Sequence, residues 1–110
     1  MSYTPVCKLS SLMEGDAAPY NVDGREVILL WAEGGELQAF NGLCPHQNVP
    51  LYRGEFNGRY LTCPVHEWVF DGRDGSCVRG EECSLPKIAL RVVNGIVEIE
   101  SRASAASSAA

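Results

Sequence analysis

The feature that most constrains this chain is where it puts its two histidines. Both fall within residues 44–70, CPHQNVPLYRGEFNGRYLTCPVHEWVF. Each follows a cysteine, as Cys44-Pro45-His46 and Cys63-Pro64-Val65-His66, with sixteen residues between the pairs. Thiolate sulfur and imidazole nitrogen are ligands for zinc and iron. A fold that gathers all four must bring two loops to one point. Pro45 and Pro64 stiffen those loops and remove one backbone donor from each. Gly42, Gly54 and Gly58 allow the chain to turn sharply around them. Two cysteines and two histidines can make a tetrahedral zinc site. The common zinc-finger order is two cysteines and then two histidines, whereas each pair here is mixed. Mixed pairs suit a binuclear centre in which one metal takes both thiolates and the other both imidazoles.

The rest of the chain supplies a β scaffold. Turn signals recur at Asp23-Gly24, Gly34-Gly35, Asn57-Gly58, Asp71-Gly72, Asp74-Gly75 and Asn94-Gly95. Asn-Gly and Asp-Gly favour positive φ and fit tight hairpins. Between them lie β-rich runs at Glu26 to Trp31, Glu36 to Phe40, Arg59 to Thr62, Trp68 to Phe70, Ile88 to Val93 and Ile96 to Ile99. No stretch presents an apolar helical face over three turns. Many short strands with regular turn signals predict an all-β fold, a small antiparallel β-sandwich. A short helix is expected near Leu9 to Glu14, with Ser10 or Ser11 as its cap and Gly15 at its end. Length predicts a single domain over 1–100. Its loop-rich segment, about 43–84, reads as a site-bearing subdomain. Residues 101–110, SRASAASSAA, carry no bulky apolar side chain and are expected to be disordered.

Composition excludes several functions. Nine basic and fourteen acidic residues give a net charge of −5, with no basic cluster, so nucleic acid is not an expected partner. No apolar run approaches the roughly 20 residues that span a bilayer. The N-terminal MSYTPVCKLSSLMEG lacks the basic-then-apolar pattern of a secretory signal. The expectation is a cytoplasmic protein with no membrane partner. Five cysteines cannot all pair, and in a reducing compartment they are expected to be metal ligands or free thiols. There is no Gly-rich dinucleotide fingerprint. Once His46 and His66 are used, no histidine remains for a mononuclear iron site of the two-His-one-carboxylate type.

The spacing resembles the Rieske [2Fe–2S] signature, Cys-x-His, fifteen to seventeen residues, then Cys-x-x-His. The length of the whole chain is also similar to that of small Rieske ferredoxins. That resemblance implies one [2Fe–2S] cluster, with Cys44 and Cys63 on the inner iron and His46 and His66 on an outer iron near the surface. Histidine ligation raises the potential above that of an all-cysteine cluster. Reduction adds one negative charge, and exposed imidazoles can bind a proton against it, so the potential should fall as they deprotonate. Gln47, Trp68 and Pro86 are expected around the cluster: Gln47 to orient its loop, Trp68 to shield or dock, and Pro86 from a covering third loop, Ser84-Leu85-Pro86.

The chain departs from the high-potential Rieske proteins of respiratory complexes. Those join the two cluster loops by a disulfide, at positions that here resemble Val49 and Val65. They also place Ser and Tyr hydroxyls where this chain has Trp68 and Phe70. Without those hydrogen bonds the added charge is less stabilised, so a low potential is expected. Cys7, Cys77 and Cys83 are expected to be free thiols, and Trp31 to be scaffold core. The resemblance implies a one-electron shuttle between an NADH-dependent flavoprotein reductase and a terminal oxygenase, docking transiently through the His46/His66 face. Cys44 to Gln47, Cys63 to Phe70 and Glu81-Glu82-Cys83 look most like ferredoxins of toluene and alkene monooxygenases, whose hydroxylase is a di-iron protein. A ferredoxin of an aromatic-ring dioxygenase, a reductase-type role such as a small nitrite reductase subunit, and a zinc-stabilised interaction module are the competing expectations.

Overall fold

A computed structural model describes residues 3–22, 24–44, 49–64, 68–79 and 84–100. They form eleven strands in three antiparallel sheets. The first sheet has the order β1-β11-β10, from Tyr3–Lys8, Ile96–Glu100 and Leu90–Val93. The second has the order β2-β3-β4-β9, from Ala17–Val22, Arg25–Trp31, Leu37–Asn41 and Lys87–Ile88. The third runs β5-β6-β7-β8, from Glu55–Phe56, Tyr60–Thr62, Val69–Asp71 and Cys77–Arg79.

Strand β3 organises the molecule. From Val27 to Trp31 its sequence VILLW is a continuous apolar run, as a strand covered on both faces requires. Val27, Ile28, Leu29 and Leu30 are all buried. Successive side chains alternate between faces, so β3 feeds two separate cores. Val27 and Leu29 join Val22, Ala39, Ile88, Val97 and Ile99 between the first and second sheets. Ile28 and Leu30 join Phe40, Leu51, Leu61, Phe70, Leu85, Cys44 and Cys63 on the side of the third sheet. Pro5 and Pro19 sit in the edge strands β1 and β2, where a missing amide leaves no gap in a ladder. Cys7 of β1 is half-buried, and its thiol is hydrogen-bonded to the Tyr20 phenol of β2, which raises the phenol's pKa.

The hairpin signal Asn94-Gly95 is realised directly: both residues have positive φ, 52° and 77°, and join β10 to β11 with Val93 opposite Ile96. Three expectations change. The helix at Leu9 to Glu14 is only a 3-10 turn, Leu9–Ser11, with no side-chain cap. Its Leu9 and Leu12 pack on the sandwich core, and three residues suffice to place them. The run Ile88 to Val93 is not one strand. It breaks at Ala89, whose carbonyl accepts the Glu100 amide, so β9 extends the second sheet and β10 the first. Trp31 is only half-buried, at the end of β3. The expected disorder of residues 101–110 concerns residues outside those described.

Candidate metal centre

Two loops leave the scaffold side by side in the core that Ile28 and Leu30 begin. The first follows β4. The Gly42 amide donates to the Glu26 carbonyl at 2.8 Å and the Leu51 amide to the Gly42 carbonyl at 2.8 Å. A Cβ on Gly42 would stand 3.0 Å from the Glu26 and Val27 backbone, so the close approach requires glycine. Leu43 then faces Pro50 across an antiparallel bridge, and the Cys44 amide donates to the Val49 carbonyl at 2.8 Å. The second loop joins β6 to β7. Thr62 faces Val69, and the Cys63 amide donates to the Trp68 carbonyl at 2.7 Å.

The two loops are therefore closed in the same way. Each has a cysteine one residue past the last cross-strand pair, with its amide bonded five positions on. Cys44 and Cys63 are 0% and 1% exposed, belong to one apolar cluster, and stand outside any disulfide among the described residues. Sequence reasoning found the matched Cys-Pro pairs but not this repeated closure, which depends on cross-strand register. His46, Gln47, His66 and Val65 lie outside the described residues.

Two loops with like geometry and a buried thiol at the base of each fit a sulfur-ligated metal group. Thiolates are its ligands, and an apolar surround excludes water from them. Trp68 is half-buried against the same core, its ring tilted 53° to Phe70 with centroids 6.5 Å apart. Its carbonyl fixes Cys63, a task that any residue's backbone would perform. Pro86 lies with its side chain exposed, while its carbonyl accepts the Asn41 amide at 2.9 Å. The third loop's contribution to the core is Leu85, 2% exposed and packed in the cysteine cluster. The Leu85 amide donates to the Gly75 carbonyl at 2.8 Å. Sequence reasoning passed over Leu85 because one leucine beside a proline carries no periodic signal. Cys77 is half-buried beside this core and outside any disulfide among the described residues, and Cys83 lies outside them.

Comparison with known proteins agrees with this geometry. The profile of the Rieske [2Fe–2S] domain matches residues 2–90. The chain belongs to the Rieske [2Fe–2S] family. It carries that family's single [2Fe–2S] cluster, which sets the zinc reading aside. The ferredoxin component of the alkene monooxygenase system of Xanthobacter autotrophicus is 33% identical over 100 residues, 90% of this chain and 81% of that one. The ferredoxin component of the naphthalene 1,2-dioxygenase system of Pseudomonas putida is 38% identical over 63 residues, 57% of this chain and 60% of that one. Among solved structures, the ferredoxin of carbazole 1,9a-dioxygenase from Nocardioides aromaticivorans superposes with a TM-score of 0.77 over 90% of this chain and 97% of that one, at 24% identity, so this Rieske chain shares its fold. No helix among the described residues is long and apolar enough to cross a membrane.

Proposed function

We propose that this Rieske protein is a cytoplasmic one-electron carrier, taking electrons from an NADH-dependent flavoprotein reductase to the di-iron hydroxylase of an alkene- or aromatic-type monooxygenase. It is the electron-transfer component and is not itself catalytic. The observation that carries this reading is a family member with two buried cysteines in like loops that is similar, over nine-tenths of its length, to an alkene monooxygenase ferredoxin. A [2Fe–2S] group with mixed cysteine and histidine ligation supplies reversible one-electron chemistry. Cys44 and Cys63 hold it through thiolates from inside the core, and His46 and His66 complete the ligand set. Leu85 and the half-buried Trp68 keep water from the thiolates. Trp68 and Phe70 offer no hydroxyl, so the potential lies near the low end of the Rieske range, about −150 mV.

A second reading, the ferredoxin of an aromatic-ring dioxygenase, is favoured by the higher identity of the naphthalene system's ferredoxin over its shorter match. NADH-driven turnover reconstituted with purified hydroxylase of each class separates them. Turnover with the dioxygenase alone would overturn the monooxygenase assignment. The holoprotein is expected to contain iron and acid-labile sulfide and to give a low-temperature EPR signal once reduced with dithionite. A redox titration with a clearly positive midpoint would reject the low-potential reading. His46→Cys and His66→Cys each change that EPR signal, and an unchanged signal would remove that histidine from the ligand set.

A further inference from the structure

The core between the first two sheets does not close over the end of β3. Trp31 shares a face with Leu29 and sits opposite Leu37, yet it is only half-buried. There Leu12, Leu29, Trp31 and Leu37, together with Ser11 and Asp16, line a cavity of about 130 Å³ that also reaches Met13, which is 68% exposed. That is room for one aliphatic or aromatic side chain, since an apolar cavity of about 150 Å³ holds benzene. The walls are fixed in advance. The Trp31 amide donates to the Asp16 carbonyl at 3.1 Å, the Gly15 amide to the Trp31 carbonyl, and the Gly34 amide to the Glu14 carboxylate at 2.6 Å. A preformed pocket spares the ordering cost that weakens most surface contacts.

We propose that this niche is a docking site, separate from the cysteine loops, which receives one apolar side chain from a basic segment of a partner protein. The floor selects an apolar anchor, and the surroundings select what flanks it. Asp16 lines the cavity and is exposed, Glu14 and Glu33 are exposed on the segments that follow Met13 and Trp31, with Glu33 packing where a Cβ on Gly15 would stand 3.2 Å away, and no Lys or Arg among the described residues lines the cavity. Arg73 lies beyond, across Gly35. Carboxylates around an apolar pocket favour lysine or arginine beside the anchor. A second copy of this chain, at net −5, would be repelled. The first cysteine loop is tied to Glu26, five residues back along β3 from Trp31, roughly 16 Å at strand spacing. The niche is therefore a patch separate from the point where that loop leaves β3.

The test uses the holoprotein with methionine-methyl and amide NMR, titrated with the peptide Lys-Lys-Leu-Lys-Lys. The expected result is perturbation of the Met13 methyl and the Trp31 indole, with Lys-Lys-Ser-Lys-Lys binding about tenfold more weakly for want of the buried side chain. Met13→Asp decides the sign. It adds negative charge, so electrostatic attraction alone would tighten binding, whereas apolar docking predicts weakening. Met13 is exposed, so this variant keeps its fold. Equal binding of the two peptides, tighter binding to Met13→Asp, shifts confined to the cysteine loops or no shifts at all would each overturn the proposal. So would shifts at Met13 and Trp31 that follow protein concentration without peptide, which would make a second copy the occupant. The titration needs neither reduction nor turnover, so its failure leaves the electron-carrier reading standing, and the reverse holds as well.

Discussion

The two faces of β3 support cores of opposite kinds. On one face, Val27 and Leu29 enter an aliphatic core between sheets whose strands mostly run four to seven residues. On the other, Ile28 and Leu30 enter a core of two phenylalanines, leucines and two cysteine thiols. The sheet that covers it has strands of only two or three residues. Short strands bring few ladder hydrogen bonds and little buried area to offset the entropy of ordering them. The scaffold is thus expected to be stable through its own packing, and the cysteine side to depend on what its thiols hold.

The largest test of that contrast removes a proposed ligand. Cys63→Ser is expected to abolish cluster binding, because an alcohol is a poor substitute for a thiolate toward iron. Amide exchange should then accelerate through β5 to β8 while β3, β4, β10 and β11 stay protected. Uniform acceleration across all three sheets would show that both cores open as one unit. Retained iron would take Cys63 out of the ligand set.

Truncating β3 on either face comes next. Leu29→Ala and Leu30→Ala each empty a fully buried position and should cost about 2–5 kcal/mol by thermal or denaturant unfolding. The cost is similar, but the spectra should differ. Leu30→Ala loosens the core that contains Cys44 and Cys63, so it should lower iron content and alter the visible spectrum. Leu29→Ala should leave both unchanged. Equal loss of iron in the two variants would break the separation of the faces.

Glycines separate the regions more finely. A Cβ on Gly54 would stand 1.8 Å from the Thr62 carbonyl, the residue before Cys63, so Gly54→Ala must push β5 from β6 and should cost about 1–3 kcal/mol and some iron. Gly24, in the β2–β3 turn, has open space around it and a φ of +78°. Gly24→Ala should cost about 1 kcal/mol from backbone strain alone, with iron content unchanged. Iron content measured alongside the melting curve distinguishes the two.

The sequence exposed the two regions unequally. The scaffold was legible where local chemistry decides structure: in the apolar run of β3, in Asn94-Gly95 and in the alternation of β11. It was not legible in β2, whose AAPYNV has a mid-strand proline and two alanines and is held by pairing with β3. Nor was it legible in β5 and β8, two or three residues long, which exist only because a neighbouring strand pairs with them. The break at Ala89 follows from two sheets competing for one run of chain. At the site, the two Cys-Pro pairs stood out because a metal group constrains residue type and interval together, while His46 and His66 lie outside the described residues. Leu85 and Gly54 did not stand out, since their roles are a packing contact and a missing atom across a register set by the fold.

The smallest expected effect separates the two sides by pH. In the β7–β8 turn the Asp74 carboxylate accepts the Ser76 amide at 2.9 Å and the Ser76 hydroxyl at 2.7 Å, and these bonds hold its pKa below the ordinary value. The next residue, Gly75, has φ +80° and accepts the Leu85 amide, so this turn positions the leucine that packs on the cysteines. The β2–β3 turn uses a comparable bond from the Gly24 amide to the Asn21 side chain at 3.1 Å, which cannot titrate. A carboxyl with a lowered folded pKa contributes its stability above its unfolded value, about 3.9, and loses it as pH falls through the folded one. Asp74→Ala should therefore lower the stability slightly at neutral pH, by well under about 1 kcal/mol because the group is exposed and screened. The gap to the parent protein should shrink on acidification below about pH 4. Asn21→Ala should show a gap that does not vary with pH over the same range. If the Asp74→Ala gap stays constant down to the acid limit of folding, the Ser76 bonds contribute nothing through the charge, and the turn is held by Gly75 and its backbone partners alone.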